Sequence, residues 1–194
     1  MSKGELRETV LRARRELTPE RRLAEADALS AAVARISVAG QTVCAYVPIG
    51  SEPGSLEMLD AIAAAGARVL LPVARNDRAG NPQPLDWATY AAGSLVDGPF
   101  GLREPEPPWL PAHTVASASL VLVPTLAVDR AGVRLGRGAG FYDRSLSMAD
   151  PAAKLVAVVR DDELVESLPC EDHDVPMTHA LTPQHGLVAL GPPA

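Results

Sequence analysis

The chain has 194 residues but only two cysteines, Cys44 and Cys170. Two thiols cannot form the disulfide framework of a small secreted domain. A chain of this length needs no such cross-links, because it can bury roughly 70% of its unfolded surface. Cys44 lies within an apolar run, which favours a buried and unreactive thiol.

Long apolar runs and an excess of positive charge are also missing. No segment approaches the roughly 18 apolar residues of a membrane span, and the opening MSKGELRETVLRARRE lacks the apolar centre of a signal peptide. The net charge of −6 disfavours nucleic acids and anionic membranes as partners. We therefore expect a cytoplasmic protein with neither partner, in which a local cluster of positive charge binds any anionic ligand.

Two helices are predicted at the start of the chain, over residues 4–17 and 19–36. Thr18 can cap the second helix, and Pro19 suits its first position. An apolar stripe at three- and four-residue spacing predicts its buried face: Leu23, Ala26, Leu29, Val33 and Ile36. The first helix has a basic face that periodicity alone assigns to the solvent: Lys3, Arg7, Arg14 and Arg15.

Helical and apolar extended segments alternate along the rest of the chain. Buried strands are predicted at residues 42–49, 67–73, 119–124 and 154–159, helices at 55–65 and 140–148, and short final strands at 178–182 and 186–190. Residues 74–112 are rich in Pro, Gly and Asn, which predicts turns and short edge strands. This order favours a three-layer α/β/α fold with a mostly parallel, Rossmann-like sheet and N-terminal helices, in one domain over residues 1–194.

The strongest chemical signal is the segment RLGRGAGFYDRSL, residues 134–146. Its alternating glycines let the backbone approach a ligand and point several N–H groups in one direction. A helix predicted directly afterwards adds a positive end, and together these features favour a phosphate site. The nearby arginines are Arg134, Arg137 and Arg144, whose guanidinium groups can pair with phosphate oxygens. Asp143 follows at the position of a magnesium ligand beside a phosphate.

Other interpretations of this segment remain open or fit badly. No Lys-Ser or Lys-Thr follows the glycines, as a P-loop requires. The spacing is G-x-G-x-G, not the G-x-G-x-x-G of a dinucleotide site, although Asp161 and Asp162 after the next strand keep that interpretation open. A glycine-rich turn with solvated arginines is a further alternative.

A zinc site is disfavoured near the C-terminus. The candidate ligands are Cys170, His173, His179 and His185, whose spacing matches no standard structural zinc pattern. We interpret His173 as a structural hydrogen-bonding residue beside Asp174.

Residues 120–146, LVLVPTLAVDRAGVRLGRGAGFYDRSL, resemble the signature of the 5-formyltetrahydrofolate cyclo-ligase family. The family pattern is a strand, Pro, a short apolar stretch, Asp, Gly and then R-L-G-x-G-x-G-[YF]-Y-D. Three other segments resemble the family in the right order: KGELR at 3–7, AYVPIGSEPGSLEML at 45–59 and EDHDVPMTHALT at 171–182. The resemblance covers most of the chain and is loose over residues 74–112.

The resemblance implies an ATP- and Mg²⁺-dependent cyclisation of 5-formyltetrahydrofolate to 5,10-methenyltetrahydrofolate, with ATP as co-substrate, by a monomer. The implied catalytic residues are Arg137, Arg134 and Tyr142. The implied ATP-binding residues are Lys3, Arg7, Arg134, Leu135, Gly136, Arg137, Gly138, Ala139, Gly140, Phe141 and Tyr142. The implied folate-binding residues are Val47, Glu52, Arg137, Gly138, Ala139, Gly140 and Phe141. Asp143 and Asp174 are the implied magnesium ligands.

The chain departs from the family pattern at three places. Ala139 stands where many members carry Lys or Gly, Phe141 replaces a common Tyr, and Pro53-Gly54 follows Glu52. A paralogue of the same fold acting on another substrate, for example in thiamine-related salvage, and a non-catalytic nucleotide- or folate-binding module therefore remain alternatives. Trp109 and Tyr90 either stack on the pterin or are ordinary packing residues.

Overall fold

The structure is a computed structural model that describes residues 2–171 and 174–191. No helix within these ranges is both long enough and apolar enough to cross a membrane. The helices are α1 (Lys3–Glu16), α2 (Pro19–Val33), α3 (Leu56–Ala64) and α4 (Phe141–Leu146). The strands are β1 (Thr42–Cys44), β2 (Arg68–Val73), β3 (Asp86–Thr89), β4 (Leu95–Asp97), β5 (Arg103–Pro105), β6 (Leu120–Pro124), β7 (Ala127–Asp129), β8 (Arg134–Leu135), β9 (Lys154–Val158), β10 (Leu164–Val165), β11 (His179–Thr182) and β12 (Gly186–Ala189).

Seven strands form the central sheet in the order β12-β11-β9-β6-β1-β2-β3. The inner five strands are parallel to their neighbours, whereas the edge strands β3 and β12 are antiparallel. Helices α2 and α3 pack on one face, and α4 packs on the other with the 3-10 helix Ala112–Ser117. The predicted three-layer fold with a mostly parallel sheet is therefore confirmed.

Both faces of the sheet are buried, which explains why its strands have continuous apolar sequences. In β6, Leu120 and Leu122 face the α2 and α3 layer, and Val121 and Val123 face the α4 layer. Cys44 in β1 is fully buried, and burial raises the pKa of its thiol to about 12. The expected unreactive thiol is confirmed, because a thiolate hardly forms there.

The predicted start of α2 is confirmed, and its predicted end and apolar stripe are partly wrong. The Thr18 hydroxyl accepts a hydrogen bond from the Arg21 N–H at 3.2 Å, and Pro19 is the first helical residue. The helix ends at Val33 rather than at residue 36. Leu23, expected in the buried stripe, is 65% exposed because no described element packs over that side of the helix.

Arg14 contradicts its predicted position on a solvated surface. Its side chain is 1% exposed. Its guanidinium donates to both oxygens of Glu163, from Nε at 2.6 Å and from Nη2 at 2.7 Å, and Nη2 also donates to the Thr125 carbonyl. The basic face of α1 is therefore divided, because Arg14 turns towards the protein while Arg15 stays exposed.

Helix α1 packs on a small second sheet that the apolar pattern did not reveal. This sheet has the order β10-β7-β8. Its strands are only two or three residues long, too short to show a period in the sequence. Apolar residues of the two elements pack together: Leu6, Val10 and Leu11 of α1 against Leu126, Ala127, Leu135 and Leu168.

The buried ion pair predicts a large effect of Glu163→Gln on stability. Removing the carboxylate charge leaves Arg14 buried without its counter-ion, so we expect the free energy of unfolding to fall by about 3–5 kcal/mol. Glu166→Gln is the matched control, because Glu166 is 92% exposed and lies 3.9 Å from Arg130. Urea denaturation followed by circular dichroism measures both variants. Equal midpoints for the two would contradict a stabilising role of the pair.

Candidate active site

A cleft of about 1050 Å³ opens at the carboxyl ends of three parallel strands. Tyr46 and Val47 follow β1, Ala74 follows β2, and Pro124 ends β6. The carboxyl edge of a parallel sheet is the usual ligand site of such folds. Helix α1, the glycine segment and parts of residues 72–103 form further walls.

The cleft brings together residues from all four segments that the sequence assigned to the site. The predicted site residues that line it are Lys3, Arg7, Val47, Glu52, Arg134, Gly136, Arg137, Gly138, Ala139, Gly140, Phe141, Tyr142, Asp143 and Asp174. Leu135, which the resemblance implies for ATP binding, is the one that does not line the cleft. Its side chain is buried beneath α1, and its carbonyl accepts from the Leu126 N–H at 2.7 Å, so it supports the segment from below.

A short hairpin of β7 and β8 carries the glycine segment to the cleft. Buried Asp129 organises its turn by accepting hydrogen bonds from the N–H groups of Ala131, Val133 and Leu168, each at 2.9 Å. Gly132 has a φ of 91°, and a Cβ there would lie 2.3 Å from the Met177 carbonyl oxygen. The turn therefore requires glycine both for its backbone conformation and for the close approach of the chain.

Contacts from two helices hold the backbone of the glycine segment. Arg7 of α1 donates from Nε to the Gly136 carbonyl at 2.9 Å, and Arg144 of α4 donates to the Gly140 carbonyl at 2.9 Å. Gly138 and Gly140 have φ values of 96° and 77°, in the left-handed region. Helix α4 begins directly after Gly140 and ends at Leu146, earlier than the predicted 148. The adjacent helix start is thus present, but the helix is short.

Two ion pairs join the glycine segment and α1 to acidic residues. Arg134 is buried and pairs with Asp143, and it also donates to the Val175 carbonyl at 2.6 Å. Burial lowers the pKa of Arg134, and Asp143 partly offsets this. Lys3 lies 3.0 Å from Asp174. Burial lowers the pKa of Lys3, but Asp174 and Glu171 together outweigh burial, and the pKa is raised. A solvated turn is therefore the wrong interpretation for Arg134.

Glu52 and Arg137 both line the cleft and form an ion pair. Arg137 donates from Nε to Oε1 of Glu52 at 3.0 Å, and Oε2 accepts from the Ile49 N–H at 3.1 Å. Burial raises the pKa of Glu52, and the Ile49 N–H and Arg137 partly offset the rise. The resemblance implied Glu52 for folate binding and Arg137 for both folate and ATP binding, and these two residues form one ion pair.

Tyr142 lines the cleft, but its hydroxyl is buried. No described residue forms a hydrogen bond with it. Burial raises the pKa of Tyr142, and the nearby Glu52 carboxylate raises it further. A buried hydroxyl without a partner is unfavourable, so a ligand that reaches it gains a hydrogen bond the protein itself does not make.

Sequence reasoning missed cleft residues from the irregular region 74–112. Phe100 and Arg103 line the cleft, and the Phe100 ring lies 5.8 Å from that of Phe141, between centroids. The sequence feature that could have identified Phe100 is an aromatic residue between glycines, in GPFG at residues 98–101. Of the two aromatics left open, neither lines the cleft: Tyr90 donates to Asp60 at 2.7 Å, and Trp109 stacks on a guanidinium at 4.1 Å.

The remaining candidates from the sequence lie elsewhere. Asp161 accepts from the Gln184 N–H at 3.1 Å and lies 2.9 Å from the His185 ring nitrogen, and neither Asp161 nor Asp162 lines the cleft. The structure therefore gives no support to the dinucleotide interpretation. His173 lies outside the described residues.

Fold and cleft together define an α/β protein in which a basic glycine segment and a buried carboxylate meet at the carboxyl edge of a parallel sheet. A model of the 5-formyltetrahydrofolate cyclo-ligase family matches residues 1–183. The chain belongs to this family, as its resemblance indicated, and is an enzyme of the ligase class.

Individual relatives agree with this assignment. The chain is 58% identical over 189 residues to the 5-formyltetrahydrofolate cyclo-ligase of Mycolicibacterium smegmatis, covering 97% of each chain. It is 30% identical over 173 residues to the Escherichia coli enzyme of that name, covering 88% of this chain and 94% of the other.

Solved structures agree as well. The 5,10-methenyltetrahydrofolate synthetase of Aquifex aeolicus superposes with a TM-score of 0.77 at 26% identity, over 100% of this chain and 95% of the other. The corresponding synthetase of Mycoplasma pneumoniae has a TM-score of 0.68 at 17% identity, over 91% and 96%, and supports the fold alone.

The Glu52–Arg137 pair predicts how Glu52 titrates. A neighbouring cation favours the carboxylate, so Arg137→Gln should raise the already elevated pKa of Glu52 still further. The control is Arg130→Gln, at an arginine that does not line the cleft. Carboxyl carbon shifts measured by NMR against pH give the midpoint for Glu52. An unchanged midpoint in Arg137→Gln would show that the pair does not form in solution.

Proposed function

We propose that the chain converts 5-formyltetrahydrofolate to 5,10-methenyltetrahydrofolate with ATP, in the presence of Mg²⁺, and releases ADP and phosphate. One observation carries the proposal: in a member of the cyclo-ligase family, the largely buried carboxylate of Glu52 and the basic glycine segment line one cleft and are joined by the Glu52–Arg137 ion pair. A single cleft can therefore bring a folate and a triphosphate into contact.

Glu52 binds the pterin end of the substrate in this proposal. A carboxylate accepts hydrogen bonds from the pterin amino and ring N–H groups, and Val47 lies beside Glu52 in the cleft wall. Folate binding would then replace the bond between Glu52 and Arg137 and release the guanidinium.

The glycine segment binds the triphosphate. Its glycines and the cations Lys3, Arg7, Arg134 and Arg137 all line the cleft. A triphosphate carries about four negative charges, and in a protein of net charge −6 such a local cluster is the place for it. Ala139 contributes no charge, so Arg137 is the one cation between Gly136 and Gly140.

ATP is needed because the formyl oxygen is a poor leaving group. The formyl oxygen attacks the γ-phosphorus, the bond from that phosphorus to the bridging oxygen breaks, and ADP leaves. The N10 amine then attacks the formyl carbon and loses its proton, and the carbon–oxygen bond breaks to release phosphate. The protein contributes positioning and charge stabilisation, the main terms in phosphoryl transfer.

Asp143 and Asp174 would hold the magnesium ion. Both carboxylates line the cleft, and oxygen donors are those that Mg²⁺ prefers, typically one or two carboxylates together with substrate phosphates. Among the described residues no group of three acidic, His or Cys side chains could hold a metal ion. The donors therefore fit an ion that arrives with the nucleotide, and bound Mg²⁺ would neutralise charge on the phosphates.

Three expectations remain predictions alongside the activity: a single domain over residues 1–194, a monomer, and a cytoplasmic location. A same-fold enzyme with another substrate and a non-catalytic binding module are outcomes that the next experiment distinguishes.

Purified protein should form 5,10-methenyltetrahydrofolate only when both ATP and a divalent metal are present. The absorbance of the methenyl product measures the reaction, with separate omission of ATP and addition of EDTA. Full activity in EDTA would refute the metal roles of Asp143 and Asp174. Folate binding without turnover would indicate a binding module, and neither binding nor turnover would indicate another substrate.

Arg137 should act mainly on the transferring phosphoryl group. We expect Arg137→Ala to lower kcat about a hundredfold, roughly 3 kcal/mol, with a smaller change in KM for ATP. Arg137→Lys should recover part of the loss, because a point charge lacks the guanidinium fork. Adding Ala139→Lys to Arg137→Ala should also recover part, since it restores charge two residues away.

Steady-state kinetics with each substrate varied measure these effects, with Arg130→Ala as the control outside the cleft. A higher KM for ATP at unchanged kcat would instead make Arg137 a ground-state binding residue.

A further inference from the structure

The turn that carries Glu52 is held on both sides of that residue by buried donors. Arg160 donates from Nη1 to the Ser51 carbonyl at 3.1 Å. The Tyr46 hydroxyl donates to the Pro53 carbonyl at 2.6 Å. Arg160 is 3% exposed and Tyr46 is 2% exposed, so water does not compete for either bond. The carbonyls of Ser51 and Pro53, the residues on either side of Glu52, are therefore both fixed.

The turn needs such external bonds because its own backbone offers few. Pro53 has no N–H to donate, and Gly50 has a φ of 57°, a conformation that costs glycine little. Within the turn, Glu52 donates its N–H to the Ile49 carbonyl at 3.0 Å, and its carboxylate accepts from the Ile49 N–H. Both the backbone N–H and the carboxylate of Glu52 are thus bonded to Ile49, and the donors outside the turn decide where this unit sits.

Arg160 is itself held in a buried network. Its Nε donates to Glu25 of α2 at 2.7 Å, and its backbone N–H donates to Glu163 at 2.8 Å. Glu163 is also the partner of Arg14 in α1, the helix that carries Lys3 and Arg7 into the cleft. One set of buried charges therefore fixes both the Glu52 turn and the helix on the nucleotide side.

We infer that Tyr46 and Arg160 are positioning residues that hold the Glu52 carboxylate in the orientation that binds the folate. This inference rests on the proposed function. The hydroxyl of Tyr46 is engaged by Pro53 and the guanidinium of Arg160 by Ser51 and Glu25, so both act through the turn rather than on the reacting atoms.

Tyr46→Phe tests the inference with the smallest change, because it removes only the hydroxyl. Losing one buried hydrogen bond should weaken 5-formyltetrahydrofolate binding about three- to tenfold and leave ATP binding unchanged. The matched control is Tyr90→Phe, which removes a bond to Asp60 from a tyrosine outside the cleft. Calorimetric titration measures both affinities, and thermal unfolding measures both stabilities. A loss of stability without a loss of folate affinity would make Tyr46 purely structural and overturn the inference.

A double-mutant cycle with Glu52→Gln separates positioning from direct contact. If Tyr46 acts through the Glu52 carboxylate, Tyr46→Phe should weaken folate binding much less on the Glu52→Gln background than on the wild type. Additive losses would overturn the inference, because Tyr46 would then act independently of Glu52. Arg160→Lys should give the same selective loss of folate affinity. If Arg160→Lys does not fold, the result for Tyr46→Phe alone decides the inference.

A ligand-free measurement distinguishes failure of the inference from failure of the proposed function. Because burial raises the pKa of Glu52, a loosened turn should let water reach the carboxylate and lower that pKa in Tyr46→Phe but not in Tyr90→Phe. If the wild type neither binds nor converts 5-formyltetrahydrofolate, the proposed function fails and the folate role of the turn fails with it. If the wild type converts the substrate and Tyr46→Phe changes neither this pKa nor folate affinity, only the positioning role fails.

Discussion

The buried contact between Arg14 and Glu163 is the interaction on which the rest of the site depends. It fixes α1 against the body of the protein, and only a fixed α1 brings Lys3 and Arg7 to the glycine segment. Glu163 also holds the backbone of Arg160, which reaches the turn of Glu52. The buried carboxylate of Glu163 lies between two arginines and is stable only while it stays bonded to both. These bonds therefore hold α1 and the Glu52 turn in fixed positions relative to each other.

Three cations in the cleft are paired with carboxylates, and a charged ligand must replace these internal partners. Lys3 is bonded to Asp174, Arg134 to Asp143, and Arg137 to Glu52. Each pair keeps a cation beside a carboxylate in the absence of substrate, which limits repulsion among clustered positive charges. Under the proposed function, phosphates, metal and pterin replace these internal partners. Binding energy is then the difference between two well-paired states, which favours specific ligands over any anion.

Sequence reasoning recovered the central sheet because the segments that form its inner strands are continuously apolar and buried on both faces, although β1 ends at Cys44 rather than at the predicted residue 49. It missed β7 and β8, whose two or three residues carry no detectable period. It also assigned Arg14 to the solvent, because periodicity records where a residue lies on a helix but not what faces that helix. The partner, Glu163, lies 149 residues away in the chain, and no local pattern reports such a contact.

For the site, the sequence by itself determined which residue types gather around the glycine segment, because a basic, glycine-rich stretch before a helix has few chemical uses. Its resemblance to the family located the other three segments. Only the tertiary structure decided how these parts meet: that Arg137 bonds to Glu52, that Leu135 turns into the core, and that Phe100 joins the cleft. Such contacts depend on the relative positions of distant elements, which packing and buried charge set once the whole chain has folded.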